Sequence, residues 1–370
     1  MEEKHYKLLT PGPLSTSGRV KNVMLKDWCT WDNEYKELVQ NMRKKILEAG
    51  GADTDVYTAV PMQGSGTFGV EAMIGSVIKD EDKLLILSNG VYGKRIKEIA
   101  DIANKNYEYI EFSYDTCIDK KSAKKVIENS MATHIVLVHC ETTTGILNNI
   151  DEIGELCKIN NRVFLVDAMS SYGGIPIDFE KNNIAFLVSS SNKCIQGVPG
   201  FSFIICKKEA IKECKNISHS LSLNLYDQWE VMEKDCGKWR YTSPTHVVRA
   251  FCQALEELED EGGITKRYKR YSENQKILSE GMEKLGFKCL IPKNIQSPVI
   301  TTFQNPENEK YNFKDFYDFL KKEGFVIYPG SISGKNIFRI GNIGDIKKED
   351  MEKLLKSIEK YTTEVLGWKN

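Results

Sequence analysis

Short apolar runs alternate with helix-like segments between residues 55 and 205, and this alternation constrains the fold more than any other feature. The runs are rich in Val, Ile, Leu and Phe without a clean polar alternation, which is typical of strands buried on both faces. The pattern predicts an α/β fold in which helices cover both faces of a mostly parallel sheet. The predicted strands are residues 83–88, 107–112, 134–139, 162–167, 185–190 and 201–206.

The pattern changes after about residue 245, where two long helix-like segments precede short strand candidates and a last amphipathic segment. This mixture predicts a smaller α+β domain. A chain of 370 residues is long enough for two or three domains at ~150 residues each. We expect an N-terminal arm (1–15), a large domain (16–265) and a small C-terminal domain (266–370), with a ligand site in the cleft between the domains.

The charge balance and the cysteines argue against several classes of protein. The chain has 51 basic and 52 acidic residues, so no basic field attracts nucleic acid or an anionic membrane. No apolar run reaches the ~18 residues of a membrane span, and the start MEEKHYKLL lacks the apolar core of a signal peptide. Ten cysteines without a CxxC pair indicate free thiols in the cytoplasm and no metal site.

Residues 64–69, GSGTFG, match the glycine pattern of dinucleotide-binding folds. That function needs an acidic residue at the end of the second strand, but residues 88–90 there are SNG. A NAD-dependent oxidoreductase is therefore disfavoured. The backbone N–H groups and the hydroxyls of Ser65 and Thr67 fit a site for one phosphate at a helix N-terminus. A glycine-rich turn with a capping hydroxyl explains the same residues equally well.

Asp167 closes the apolar run RVFLVD, and Lys193 follows the next run in SSSNKCIQGVPG. A carboxylate at the carboxyl end of a buried strand is where open α/β sheets bind ligands, although such an Asp also commonly caps a turn. A lysine at a strand end usually extends to solvent. The small polar residues and the Gly/Pro turn around Lys193 indicate instead a tight, poorly solvated site, which makes an amine easier to deprotonate.

The phosphate cradle, the acidic strand end and the lysine together indicate a ligand more specifically than any one of them does alone. Pyridoxal phosphate needs a cradle for its phosphate, a carboxylate that keeps the ring nitrogen protonated, and a lysine for covalent attachment. The sequence therefore predicts a pyridoxal-phosphate site.

These motifs resemble those of the class V aminotransferases of pyridoxal-phosphate fold type I, and the resemblance runs essentially from end to end. It implies a transaminase of that fold. The matching segments are TPGPL (10–14), DWCTWD (27–32), GSGTFGVEAMIGS (64–76), SNGVYGKR (88–95), HCETTTG (139–145), VDAMSSYGGIPID (166–178), SSSNKCIQGVPG (189–200), YTSPTH (241–246) and FRIGNIG (338–344).

The resemblance implies a role in cofactor binding for each matching position. Lys193 would hold the cofactor covalently and carry the proton in catalysis, and Asp167 would pair with the ring nitrogen. The residues that it assigns to the cofactor phosphate are Ser65, Gly66 and Thr67.

Four further positions acquire cofactor roles by the same resemblance. Tyr92 would stack on the ring and Thr142 would contact the ring oxygen. Tyr241 and Thr242 would reach the cofactor phosphate of a neighbouring subunit, which implies a homodimer with shared active sites. Without the resemblance, Tyr92 reads as a half-buried strand-end residue and Thr142 as a turn residue.

Two positions would bind the substrates. Arg339, in NIFRIGN, is the expected clamp for a substrate carboxylate, because its planar fork suits a bidentate pair. An arginine on the exposed face of an edge strand is the alternative. The resemblance implies a ping-pong reaction in which 2-aminoethylphosphonate and pyruvate give phosphonoacetaldehyde and L-alanine, as a step of phosphonate degradation. We expect Gly12, in the N-terminal arm, to contribute phosphonate contacts.

Three other functions stay open on the sequence. An alanine– or serine–glyoxylate aminotransferase shares the Asp, the Lys and the small-residue loops. A cysteine desulfurase needs a mobile nucleophilic cysteine, whereas Cys289 lies in a predicted strand. A non-catalytic module that binds pyridoxal phosphate or a nucleotide would leave the joint presence of Lys193, Asp167 and Arg339 unexplained.

Overall fold

Strands and helices alternate along residues 6–332 and 334–368, which are the residues that the computed structural model describes. The strands β1 to β14 are, in order, Lys7–Leu8, Tyr57–Gln63, Leu84–Ser88, Tyr107–Glu111, His134–Val138, Cys140–Glu141, Ile146–Leu147, Val163–Asp167, Ile184–Ser190, Phe201–Lys207, Ile300–Gln304, Phe325–Val326, Tyr328–Ile332 and Lys335–Gly341. The helices α1 to α12 are Gly18–Asn22, Asn33–Ala49, Gly66–Val77, Val91–Ile102, Lys120–Asn129, Ile150–Ile159, Lys208–Lys212, Leu225–Lys234, Thr245–Asp260, Gly263–Lys284, Phe313–Lys322 and Lys348–Tyr361. None of these helices has the length and apolar character needed to cross a bilayer.

The central sheet has seven strands in the order β2-β10-β9-β8-β5-β3-β4. The four pairs between β9 and β4 are parallel, and β10 runs antiparallel to both of its neighbours. The predicted mostly parallel sheet and its six strands are therefore confirmed. The sequence does not predict strand β2. Its Pro61 lacks an N–H donor, which argues against a strand except at the edge of a sheet, and β2 is an edge strand.

The described residues form two large hydrophobic cores and a smaller one. The first core extends from Val20 to Ile264 along the chain and surrounds the central sheet. The second core contains residues between Leu278 and Leu366, together with Leu9. These cores support the division at residues 265 and 266, which stays a prediction.

The N-terminal arm belongs to the packing of the C-terminal half. Its strand β1 pairs in parallel with β12, and Leu9 is fully buried in the second core. Residues 1–5 of the predicted arm lie outside the described residues, as do positions 333, 369 and 370 of the predicted small domain.

The carboxyl ends of the parallel strands β3, β5, β8 and β9 lie along one edge of the sheet, because parallel neighbours run in the same direction. Open α/β sheets bind their ligands at this edge. Asp167 is the last residue of β8, so the fold places it there. The short hairpin of β6 and β7 follows β5 at the same edge.

Candidate active site

A cavity of about 200 Å³ lies beside the carboxyl end of β8 and contains six of the predicted site residues. It is lined by Ser65, Gly66, Thr67, Val70, Tyr92, Arg95, Ile96, Asp167, Met169, Ser190, Asn192 and Lys193. The structure therefore brings together the predicted phosphate cradle, the acidic strand end, the lysine and the tyrosine.

The N-terminus of α3 forms one wall of this cavity. Ser65 is the N-cap residue in an extended conformation, and its side chain makes no capping hydrogen bond. A Cβ atom on Gly66 would lie 2.3 Å from Sδ of Met169, so a side chain at this position would displace the Met169 side chain. Because the first N–H groups of a helix have no partners within it, this wall is a suitable site for an anion.

Asp167 is a buried carboxylate, with 4% of its surface exposed. Its Oδ1 accepts a hydrogen bond from the backbone N–H of Met169 at 2.9 Å. Burial raises the pKa of Asp167 to about 6, and the Met169 N–H and the charge of Lys193 partly offset this effect. A cationic nitrogen in the cavity would relieve the cost of this buried charge.

Lys193 extends its side chain beneath the N-terminal arm. Its Nζ donates a hydrogen bond to the carbonyl oxygen of Pro11 at 2.6 Å. A Cβ atom on Gly12 would lie 2.7 Å from the same Nζ, so Gly12 touches the lysine although it does not line the cavity. Burial lowers the pKa of Lys193, which favours the neutral amine that nucleophilic attack and proton transfer require.

Tyr92 lies in the first turn of α4, and its hydroxyl accepts a hydrogen bond from Oγ1 of Thr142 at 3.3 Å. The guanidinium of Arg95 lies over the Tyr92 ring, 5.2 Å from the ring centroid. The sequence interpretation missed Arg95, although its position three residues after Tyr92 on a helix places both side chains on one face.

Arg339, on β14, is also near this site but outside the lining of the cavity. Its Nη1 donates to the carbonyl oxygen of Thr142 at 3.2 Å, and its Nη2 donates to that of Pro329 at 3.0 Å. Its Nε is buried and has no hydrogen-bond partner among the described residues. An unpaired buried donor is costly, so an anionic ligand at this position would satisfy it.

Tyr241 and Thr242 lie apart from the cavity. Both are exposed, Tyr241 with 50% of its surface, and neither lines the cavity. The hydroxyl of Tyr241 accepts a hydrogen bond from the neighbouring Arg240 at 3.3 Å. Their predicted contact with a second subunit stays a prediction.

Glu141, at the end of β6, is the second residue that the sequence interpretation missed. It is fully buried beside Tyr92 and Thr142, and burial raises the pKa of its carboxyl group to about 7. Nothing in the local pattern HCETTTG separates a buried acid from a turn residue, since the turn alone accounts for the polar run.

A mostly parallel sheet with a half-buried lysine and a buried acid near the carboxyl ends of its strands is an arrangement for cofactor chemistry. The chain belongs to the class V aminotransferase family, whose model, described as "Aminotransferase class-V", matches residues 21–354. This finding confirms the predicted family.

Two relatives that share more than half of their aligned residues with this chain agree with this membership. The chain is 52% identical over 356 residues to the 2-aminoethylphosphonate–pyruvate transaminase of Phocaeicola vulgatus. That match covers 96% of this chain and 98% of the relative. It is 56% identical over 360 residues to the bifunctional phosphonoacetaldehyde hydrolase/aminoethylphosphonate transaminase of Clostridioides difficile. That match covers 97% of this chain, and the chain spans 57% of that relative's length.

Solved structures show the same fold at lower sequence identity. The pyridoxamine-pyruvate aminotransferase of Mesorhizobium loti matches with a TM-score of 0.90 and 22% identity, over 99% of this chain and 94% of that one. The fold is therefore that of the fold type I aminotransferases, as the sequence predicts.

Proposed function

We propose that the protein is a pyridoxal-phosphate-dependent transaminase that transfers the amino group of 2-aminoethylphosphonate to pyruvate. The products are phosphonoacetaldehyde and L-alanine, and the reaction is a step of phosphonate degradation. One observation carries this proposal: a single cavity is lined by Lys193, Asp167, Tyr92 and the N-terminus of α3. The names of the relatives in Phocaeicola vulgatus and Clostridioides difficile support the phosphonate donor.

The residues present fit pyridoxal phosphate. Residues 65–67 offer hydroxyls and free helix N–H groups for its phosphate, and a side chain at Gly66 would collide with Met169. The buried carboxylate of Asp167 suits a protonated ring nitrogen, and the ring of Tyr92 suits stacking. Thr142, which contacts the Tyr92 hydroxyl, suits the ring oxygen.

Pyridoxal phosphate supplies an aldehyde carbon that takes the amino group and a cationic ring that accepts the electrons of the broken C–H bond. Lys193 would hold the cofactor covalently through its Nζ. Burial lowers the pKa of this amine, so its Nζ would take the proton from the substrate carbon that carries nitrogen. Asp167 would hold a proton at the ring nitrogen.

Arg339 orients the acidic group of each substrate. Its free Nε adds a donor to a planar fork that suits the carboxylate of pyruvate, and the same fork suits a phosphonate. The two substrates bind in turn, so the kinetics are ping-pong. Gly12 and its neighbours in the arm close the site beside Lys193 and offer backbone contacts to the phosphonate.

We infer a homodimer in the cytoplasm. Tyr241 and Thr242 are exposed in the single chain, which suits a contact with the partner's cofactor phosphate. The cysteines of the described residues are all free thiols, which suits a reducing compartment.

The test is a set of half-reactions without an amino acceptor. Purified protein loaded with pyridoxal phosphate is mixed with 2-aminoethylphosphonate, L-alanine or L-serine, and conversion of the cofactor from the aldehyde to the amine form is followed by absorbance. We expect rapid conversion by 2-aminoethylphosphonate and by L-alanine. Conversion by L-serine but not by the phosphonate would indicate a glyoxylate aminotransferase instead.

The matched control is Lys193→Ala, which keeps the cavity but removes the reacting amine. We expect it to convert cofactor at least ~10³-fold more slowly, because general acid–base catalysis alone contributes 10²–10⁴-fold. Borohydride reduction followed by peptide mapping should label position 193 in the unaltered protein and leave the variant unlabelled.

A further inference from the structure

Glu141 is a buried carboxylate whose two oxygens accept hydrogen bonds from different elements. Its Oε2 accepts the backbone N–H of Tyr92 at 3.1 Å. Its Oε1 accepts the hydroxyl of Thr143 at 2.8 Å and the backbone N–H of Thr143 at 3.3 Å. The two oxygens therefore have separable roles, one toward α4 and one toward the hairpin that Glu141 itself belongs to.

Helix α4 lacks a capping side chain of its own. Its N-cap residue is Gly90, so no neighbouring side chain accepts the free N–H groups of the first turn. Tyr92 is the second residue of the helix, and its N–H is one that an N-cap side chain normally binds. Glu141 supplies this acceptor from another part of the chain, and its negative charge is favourable at the positive end of the helix.

Gly90 leaves space for the carboxylate of Glu141 because it has no side chain. A Cβ atom at this position would lie 2.3 Å from Cδ of Glu141, although the backbone of Gly90 is extended and suits any residue. Glycine is therefore needed here for the space that it leaves and not for its conformational freedom.

The residues that follow Glu141 connect this cap to the rest of the site. The hydroxyl of Thr142 holds the hydroxyl of Tyr92, so the tyrosine is fixed at its backbone by Glu141 and at its ring by Thr142. Arg339 donates to the carbonyl oxygen of Thr142, and Thr302 donates to that of Thr143 at 3.3 Å. The hairpin thus joins Tyr92 to two strands of the C-terminal sheet.

We propose that Glu141 is a positioning residue that caps α4 from the β6–β7 hairpin and so holds the Tyr92 ring in place over the cofactor. The part of this proposal that concerns the cofactor rests on the proposed function. The cap itself does not, so the two can be tested separately.

The first test uses the cofactor-free protein. Hydrogen exchange of a peptide that covers residues 90–95 is compared between the unaltered protein and Glu141→Met, whose side chain has a similar length but no oxygen to accept the Tyr92 N–H. Loss of a helix cap typically costs ~1 kcal/mol, so we expect exchange in this peptide to be about fivefold faster. Unchanged exchange would overturn the proposal whatever reaction the protein catalyses.

Two further variants make this test specific. Gly90→Ala keeps Glu141 but displaces its carboxylate, so we expect the same faster exchange, and this variant also serves if Glu141→Met does not fold. Thr143→Val removes only the hydroxyl bonded to Oε1, and exchange in residues 90–95 should then stay as in the unaltered protein. Faster exchange in Thr143→Val equal to that in Glu141→Met would mean general loosening and would contradict the cap.

The second test is a double-mutant cycle on the holoenzyme. We expect Glu141→Met to lower kcat/KM for 2-aminoethylphosphonate about tenfold, since small misplacements at an active site are costly. In a Tyr92→Leu background the same substitution should cost less than about twofold, because its effect passes through the tyrosine. Equal losses in both backgrounds would show that Glu141 does not act through Tyr92. Absence of transamination in the unaltered protein would count against the proposed function alone.

Discussion

The side-chain nitrogen of Lys193 donates a hydrogen bond to the carbonyl oxygen of Pro11, 2.6 Å away, although 182 residues separate the two in sequence. The arm that carries Pro11 continues into the second hydrophobic core through Leu9. The backbone oxygen of Thr10 lies so close to Gly341 that a Cβ there would be 2.5 Å away. The arm is therefore held on both sides while it covers the reacting amine.

Substitution of Gly12 by alanine should damage catalysis more than it damages the fold. The new Cβ would lie 2.7 Å from Nζ of Lys193, and the φ angle of +125° is strained for any side chain. We expect kcat for transamination to fall by at least about tenfold, since the lysine must move from its position.

Gly18→Ala is the matched control for this prediction. Among the described residues, no group beyond the local backbone lies within 4 Å of a Cβ at Gly18, so activity should remain close to that of the unaltered protein. Equal activity of the two variants would mean that the arm does not position Lys193.

The general architecture follows from the sequence because it depends on local patterns. The strands of residues 83–206 are mostly buried and rich in apolar residues, and the helices between them show helical spacing, so their type and order can be predicted. Strand β2 cannot be predicted in this way. Its Pro61 is tolerated only in an edge strand, and no local signal indicates which strand lies at the edge of the sheet.

The candidate site is less accessible to sequence reasoning, because its contacts join distant segments. Lys193 and Asp167 stand out because Asp167 ends a strand and Lys193 follows one closely, and a charged group is conspicuous at both positions. The contact between Glu141 and Tyr92 spans 49 residues and depends on the space left by Gly90. Such a cap becomes visible only when the packing of α4 against the hairpin is known.

Replacement of Asp167 by asparagine should change how the stability of the cofactor-free protein depends on pH. Burial raises the pKa of Asp167 to about 6 in the folded protein, above its ordinary value of 3.8. The folded state therefore binds this proton more tightly than the unfolded state does, and the associated stability is lost as pH rises through about 6. Urea unfolding at pH 5 and pH 8 should show a smaller decrease in the free energy of unfolding for Asp167→Asn.

Glu141 contributes a dependence in the same direction, because burial raises its pKa to about 7. It is present in both proteins, so the difference between the two unfolding series reports Asp167 together with the smaller part of the Glu141 pKa shift that the Asp167 charge causes. An identical decrease in both series would contradict a buried, proton-binding Asp167.

Substitution of Arg339 by lysine should weaken substrate binding much more than its conserved charge suggests. Lysine cannot reproduce the planar fork, which donates from Nη1 to Thr142 and from Nη2 to Pro329 while Nε remains for a ligand. We expect KM for pyruvate to rise at least about tenfold, since a hydrogen bond to a charged group contributes ~1.5–3 kcal/mol.

The cofactor itself should bind Arg339→Lys normally, because Arg339 does not line the cavity. Absorbance titration with pyridoxal phosphate checks this. A lost cofactor affinity with an unchanged KM for pyruvate would place Arg339 in the cofactor site and not in the substrate site.

Mixing two inactive variants should restore activity if active sites are shared between subunits. One variant carries Lys193→Ala, and the other replaces both Tyr241 and Thr242 by alanine. The latter two residues are exposed in the single chain, so their loss should leave the fold intact. In a mixed dimer one site combines an intact lysine with intact Tyr241 and Thr242 from the other subunit.

After denaturation and refolding of an equal mixture, half of the dimers are mixed and each has one complete site, so we expect about a quarter of the normal activity. No gain over the separately refolded variants would show that each subunit holds a complete site of its own.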